Sequence, residues 1–338
     1  MIILALPIVL FSCKSTKLVN KGEHLLVKNN IVYDSIVNDV TKVSGVESQV
    51  KHIPNRRILG TIRFHLSVYN VASKKRNHPK NEKNKVRKYL REHVGEAPIL
   101  VDSQLVQSSA KNIQDYLISK GYFDATVQPE YIYKRKKAKV KYHIKTNHVY
   151  HYDSIQYYIP DEDFANLFKT KYKSIVGPGA AVNFDVLNIE RSKFTDFAKN
   201  KGYFYFKKDY ITYELDTNQV SHKAVIKTAI VNRPEEGKQI KCFTNSIHFI
   251  IDGKESFSTN DDSVRVNGIL YTRNGYNLNP NILEKYCFIE LNKPYSTNNI
   301  TKTYSGLSSL NLFEFIDIKN VPNAIDSSKL DVIINLST

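Results

Sequence analysis

The sequence has no tryptophan, one methionine and three cysteines, and only 13 glycines and 11 prolines among 338 residues. So few chain breakers exclude a fibrous or loop-dominated protein. Cys13, Cys242 and Cys287 are too few for a disulfide framework and lack metal-site spacing. Cys242 and Cys287 either pair in an oxidising compartment or remain buried thiols. Acidic side chains are outnumbered, 33 against 49 basic ones, which leaves a net charge of +16. That excess suits nucleic acid, anionic headgroups or acidic clients equally and selects none of them. Catalytic signatures are missing too: there is no Gly-rich phosphate loop, no HExxH and no nucleophile elbow. His148 and His151 stand three apart with no third ligand nearby, and Asp161, Glu162 and Asp163 read as a helix start. The expectation is a protein without catalytic residues, metal or cofactor.

What is present is globular material, 41% hydrophobic and 24% charged, long enough for two or three domains. The 22 tyrosines and 16 phenylalanines favour strands in half-buried sheets. At the amino terminus, Ile2 to Phe11 is an apolar run too short to cross a ~30 Å hydrocarbon core. It has the length of a secretory signal's apolar region, although no Lys or Arg precedes it. Leu10-Phe11-Ser12-Cys13 resembles a bacterial lipobox, which implies cleavage before Cys13 and acylation of its thiol. Acyl chains there anchor a mature protein firmly. Lys14 to Lys17 bring no acidic cluster, so the expected location is the periplasmic face of the outer membrane.

The strongest internal signal is a recurring helix, stop and strand. One copy runs from Asn112 to Lys120, then Gly121-Tyr122-Phe123. A second runs from Lys193 to Lys201, then Gly202-Tyr203-Phe204. A third, weaker one ends Leu310-Asn311-Leu312-Phe313. Ile113, Tyr116 and Leu117, like Phe194, Phe197 and Ala198, put apolar groups on one helical face. Gly121 and Gly202 suit the left-handed position after a helix, where Asn311 is the usual substitute. A Gly/Pro or Asn/Pro loop precedes each copy, at Gly95–Pro98, Gly177–Gly179 and Asn292–Pro294. Strand pairs follow: Ala125–Tyr133 with Lys137–Ile144, Tyr205–Leu215 with His222–Val231, and Phe315–Val321 with Lys329–Leu336. Upstream lie a further strand and helix, His151–Ile159 with Asp161–Ile175 in the middle repeat and Asn245–Ile251 with Pro280–Glu290 in the last. Each repeat reads strand, helix, helix, strand, strand, a two-layer α+β unit. The expected division is 1–22 signal and linker, 23–146, 147–236 and 237–338.

Strand-helix-helix-strand-strand in tandem behind a lipobox resembles the POTRA domain. Leu18 to Leu26, Pro54 to Gly60, Phe64-His65-Leu66, Tyr69-Asn70, Gly95 to Pro98 and the two Lys-Gly-Tyr-Phe turns are similar to the lipoprotein branch of the BamA/TamA outer-membrane assembly family, called TamL in Bacteroidetes. The resemblance implies tandem POTRA domains, each a small three-stranded mixed sheet covered by two helices. It also implies a periplasmic, chaperone-like role in outer-membrane protein assembly, with unfolded outer-membrane proteins as clients and a TamB-like inner-membrane partner. Nucleic acid and small-molecule substrates are not expected. Family members continue into a transmembrane β-barrel, whereas this sequence ends at Thr338 after its third repeat. That fits either a fragment or a stand-alone array.

An exposed sheet edge is a template for another strand, and strand addition tolerates many client sequences. The resemblance implies the second strand of each repeat as that edge, with Ala125, Val127 and Tyr131, then Tyr205, Tyr210 and Tyr213, then Phe315 and Ile318. The basic stretch Lys74 to Arg91, with Lys74, Lys75, Arg76, Arg87, Lys88 and Arg91, reads either as a solvated loop or as a headgroup contact. Competing classes are a basic nucleic-acid-binding protein, which an export signal argues against, and a surface lipoprotein acting on glycans, for which no carboxylate pair stands out.

Overall fold

Period-two alternation builds the inner strands. Lys137–Lys145 buries Ala138, Val140, Tyr142 and Ile144, and Lys329–Ser337 buries Leu330, Val332, Ile334 and Leu336. The computed structural model describes residues 15–34, 42–58, 60, 62–73, 85–231, 239–251, 262–273 and 279–337. Cys13 with the expected signal, and Lys74, Lys75 and Arg76, lie outside the described residues. The chain forms two compact units. One is the described part up to His151 with Ala181–Phe184, and the other is Tyr152–Ala180 with everything described from Asp185 onward.

The first unit contains β1 (Leu25–Tyr33), α1 (Phe64–Ser73), α2 (Lys85–Tyr89), α3 (Ser103–Ser119), β2 (Thr126–Lys134) and β3 (Lys137–Lys145). Its sheet has the order β1-β3-β2, with β1 parallel and β2 antiparallel to β3. Asp102 caps α3 by accepting from the Gln104 and Leu105 amides. Val106, Ala110, Ile113 and Leu117 of α3 then pack on Leu26, Val140, Tyr142 and Ile144. Leu25 and Val27 project to the other side of β1, where they meet Leu66 of α1 and Val19 in a separate cluster. The two helices thus serve different faces of the first strand. The stretch around Arg87 is no loop: α2 continues as a π-helical turn over Leu90–Val94.

The middle sheet, β4 (His151–Tyr158), α4 (Glu162–Lys171), α5 (Phe184–Lys199), β5 (Ile211–Asn218) and β6 (Lys223–Ile230), has the order β4-β6-β5. Asp161 caps α4 through the Phe164 amide, but the helix stops at Lys171, short of Ile175. Tyr172 turns extended there, stacking on Phe168 and meeting Phe194 edge-to-face in the aromatic core, which outweighs another helical turn.

The last sheet departs from the three-stranded expectation. It comprises β7 (Phe243–Ile251), β8 (Asp262–Val266), β9 (Ile269–Arg273), β10 (Phe315–Pro322) and β11 (Lys329–Ser337), with α6 (Pro280–Lys285) and α7 (Thr297–Ser308). The order is β10-β11-β7-β9-β8. The added β8–β9 hairpin turns at Asn267-Gly268, both at positive φ, 48° and 85°. Asn-Gly between alternating apolar residues is a strong hairpin signal. Helix α6 ends at Lys285 and not near Glu290, because Ile289 is drawn into the core instead.

The expected helix stops are present. Gly121 (φ +89°) and Gly202 (φ +106°) follow α3 and α5, and Asn311 (φ +52°) follows α7. Gly121 N–H donates to Ile118 and Tyr122 N–H to Leu117; Gly202 and Tyr203 donate likewise to Lys199 and Ala198. These are Schellman pairs. Each glycine carbonyl then accepts from the residue that leads into a later strand, Tyr150 N–H at 2.9 Å and Cys242 N–H at 2.8 Å. Within the second unit, Asn200 Oδ1 also accepts from Ser296 Oγ (3.0 Å) and the Asn298 amide (2.7 Å), so the end of α5 caps the start of α7. Cys242, Tyr295 and Leu330 close a small core there with Phe204 and Tyr205. Cys287 packs in the larger core of the last sheet, and no disulfide joins the two thiols.

A Cβ on Gly121 would sit 2.4 Å from the Val182 carbonyl oxygen, whereas on Gly202 it would meet Lys241 Cγ at 2.8 Å. Gly121→Ala is expected to cost about 2 kcal/mol or more and Gly202→Ala less, while Asn311→Gly stays near wild type, read from urea unfolding midpoints. Asn200→Ala is expected to cost about 1 kcal/mol, with the loss appearing in protection of the α7 amides by hydrogen exchange.

Candidate functional site: the open sheet edges

Each first strand is clasped where it begins. Leu26 N–H donates to Ile99 while Val101 N–H donates to His24. The pattern recurs as Tyr152 to Ala180 with Val182 to Tyr150, and as Thr244 to Lys293 with Tyr295 to Cys242. The loop ahead of the second helix therefore acts as a stub of strand, at Leu100, Ala181 and Pro294. In β1 the closure extends further. A register shift between Leu26 and Lys28 frees the Val27 carbonyl, which accepts from both Arg57 and Arg63 at 2.6 Å. Asn29 Nδ2 reaches the His52 carbonyl. Arg57 thus acquires a structural role that sequence reasoning could not assign, since its partner is 30 residues away. In the last sheet the corresponding strand, β7, is covered by β9.

The opposite edges differ. Among the described residues, β2, β5 and β10 are each terminal in their sheets, with no strand on the outer side. These are the second strands of the three repeats. The named side chains are placed unevenly. Val127 and Tyr131 lie on β2 and pack against the core under α3, Tyr213 lies on β5 with its Oη 3.4 Å from the Leu187 carbonyl, and Ile318 of β10 packs on the last core. Phe315 opens β10 and is 61% exposed. Three residues expected on edges are not on strands. Ala125 precedes β2 and is fully in the core, where Tyr122 and Gly121 turn the chain. Tyr210 belongs to a 3₁₀ turn, Lys208–Tyr210, and Tyr205 lies before it, its Oη donating to the Ser327 carbonyl. That turn delays the strand to Ile211.

What the edges offer is main chain, and they are not equal. Pro129 sits in the middle of β2 and removes an outward donor, a familiar way of blunting an edge. Strand β5 carries no proline, and β10 none before its last residue, Pro322. Of the basic residues, Arg87 and Lys88 lie on α2 and Arg91 on the π-turn beyond it. Inside the middle core, a cavity beside Glu190, Phe194 and Tyr213 measures about 20 Å³, room for one water. Burial, with Glu190 alongside, pushes the Tyr172 hydroxyl far up. No group of His, Cys, Asp and Glu among the described residues is placed to hold a metal.

These features define a class: an α+β chain of small mixed sheets, each with its first strand clasped where it begins and the second strand of its repeat at an open edge. Residues 78–147, which span α2, α3, β2 and β3, match the family described as POTRA, surface antigen variable number repeat. No curated protein matches. Among solved structures, the chain is similar to POTRA domains 3–5 of Haemophilus influenzae BamA, with 10% identity, 95% of this chain and 100% of that one covered, and a TM-score of 0.40. POTRA domains 1–3 of Omp85 from Anabaena give 13% identity, 94% and 96% coverage and a TM-score of 0.28. CdiB from Escherichia coli gives 7% identity, 64% and 28% coverage and a TM-score of 0.22.

On the solvent face of the first sheet, His143 of β3 ties the three strands together. Its ring nitrogens lie 2.8 Å from Glu130 on β2 and 3.2 Å from Asp34 just past β1, and Lys141 also reaches Glu130. Bonding to Glu130, then Asp34, raises the imidazole above its ordinary 6.5, and His143 followed by Lys141 lowers Glu130 below its ordinary 4.5. The folded chain therefore holds the histidine proton more tightly. That contribution is whole below pH 6.5 and is lost as pH rises through the raised value. The Glu130 contribution is present above pH 4.5 and fades as pH falls through its lowered value. A His143 titration by NMR should have its midpoint above 6.5, and His143→Gln should remove the corresponding decline in stability on the alkaline side.

Proposed function

We propose that this chain is a lipid-anchored, periplasm-facing interaction protein of outer-membrane protein assembly, built of three POTRA-type repeats and without catalysis. The observation that carries the proposal is the repeated geometry of a clasped first strand and an unpaired second-hairpin strand in three successive sheets. The match of residues 78–147 to the POTRA family supports it. In this reading the repeats span 23–146, 147–236 and 237–338, and Cys13 carries the anchor after signal cleavage. Unfolded outer-membrane proteins are the clients and a TamB-like protein is the inner-membrane partner.

The mechanism follows from the main chain. A client strand laid beside β5 or β10 pairs with backbone N–H and C=O groups, so affinity depends little on its side chains. Thr212, Glu214 and Asp216 face outward on β5 and are exposed, while Ile211 and Tyr213 keep the sheet on its core. Short edges ending in polar residues bind weakly and reversibly, as a factor that must release its client requires. Strand β2, interrupted by Pro129, is the poorest of the three docking edges.

Hydrogen exchange with an unfolded barrel-strand peptide tests this. Alternate amides of β5 or β10 should gain protection, while the β2 amides and the inward-facing amides change little. A peptide N-methylated at every second residue on one edge should lose that effect by about tenfold or more in affinity. Protection confined to helices or loops would rule out strand docking.

A further inference from the structure

The helical stretch Lys85–Val94 is amphipathic the wrong way round. Val86, Tyr89 and Leu90 recur at i, i+3 and i+4, which sets them on one face. A surface helix ordinarily buries such a stripe, yet here these side chains are 67%, 57% and 36% exposed. No residue of the stretch is buried; the half-buried ones are Arg87, Arg91 and Val94. The domain is therefore met by the basic side of the helix, and the apolar side faces out. Helix α1 packs alongside, with His65 Nδ1 2.7 Å from the Val94 carbonyl and Gly95 against Tyr69. His65 at the start of α1 meets the end of the second helix, so the two run antiparallel. Helix α1 adds Phe64 and Val71, two turns apart and themselves 46% and 58% exposed.

Lys85, Arg87, Lys88 and Arg91 fall within the same stretch, opposed by one acid, Glu92, which pairs with Arg91. On the helical wheel they flank the apolar stripe on both sides. Their long stems let the charged heads reach past the backbone toward whatever the stripe touches. This helix pair presents Val86, Tyr89 and Leu90 at the surface, with Phe64 and Val71 also exposed. It fits a deformable anionic interface, which takes in apolar side chains without a matching concavity and collects the flanking cations. We infer that α1 and Lys85–Val94 together form a docking ridge for an anionic lipid surface, with Val86, Tyr89 and Leu90 entering the acyl boundary. The inference is independent of strand docking at the sheet edges.

The absence of tryptophan makes the test site-specific. In the full chain carrying Cys13→Ser, which has no acyl anchor, Tyr89→Trp supplies the sole indole. With vesicles of phosphatidylglycerol mixed into phosphatidylcholine, its emission should shift to the blue and be quenched by lipids brominated in the acyl chain. Pure phosphatidylcholine should give neither effect. Adding Val86→Ser and Leu90→Ser should abolish both, with far-UV circular dichroism unchanged. Lys85→Gln and Lys88→Gln should each weaken partitioning by about fivefold. Val220→Trp, at a hairpin tip where the native residue is 94% exposed, should stay unshifted and serves as the reference. The inference is overturned by an unshifted Tyr89→Trp, by equal shifts on neutral and anionic vesicles, or by a shift that grows with protein concentration in the absence of lipid.

Discussion

Two main-chain hydrogen bonds hold the start of each first strand to the loop ahead of the second helix. In all three sheets that loop donates to the carbonyl of one opening residue and accepts from the amide two residues on, along the same edge. Each such bond contributes only about 1 kcal/mol net. Leaving the same buried groups unmade would cost more, so the clasp is hard to undo locally. Among the described residues, β2, β5 and β10 each keep an outer row of main-chain groups with no strand beside it.

The three sheets elaborate this arrangement differently. The first reinforces its clasp with two guanidinium groups on one freed carbonyl and blunts its open edge with Pro129. The last adds a hairpin over β7, enlarging its core by Val264, Val266, Ile269 and Tyr271 while leaving β10 terminal. Only the middle sheet keeps both a bare clasp and an uninterrupted open strand. In the second unit, the end of one helix caps the start of the next through Asn200, which joins two sheets by the same hydrogen-bond economy that ends a helix.

The sequence was most readable where a residue type answers a local backbone demand. Gly121, Gly202 and Asn311 announce helix ends, because left-handed φ is costly for other side chains. The alternation in β3 and β11 announces strands with one buried face, and Asp161 announces a cap. The Asn267-Gly268 hairpin answers an equally local demand, with both residues at positive φ. Tyr205 and Tyr210 fall ahead of the strand, because aromatic residues suit strands and also suit the packed turn that precedes one.

By itself, then, the sequence determined the alternation of elements and the places where helices stop, since both follow from periodicity and from the steric limits of single residues. Only the tertiary structure decided which edges are closed, which carbonyl Arg57 and Arg63 share, and that the apolar stripe of Lys85–Val94 turns outward. Those outcomes depend on partners tens of residues apart and on which of two available faces a neighbouring element covers. No local pattern encodes that choice.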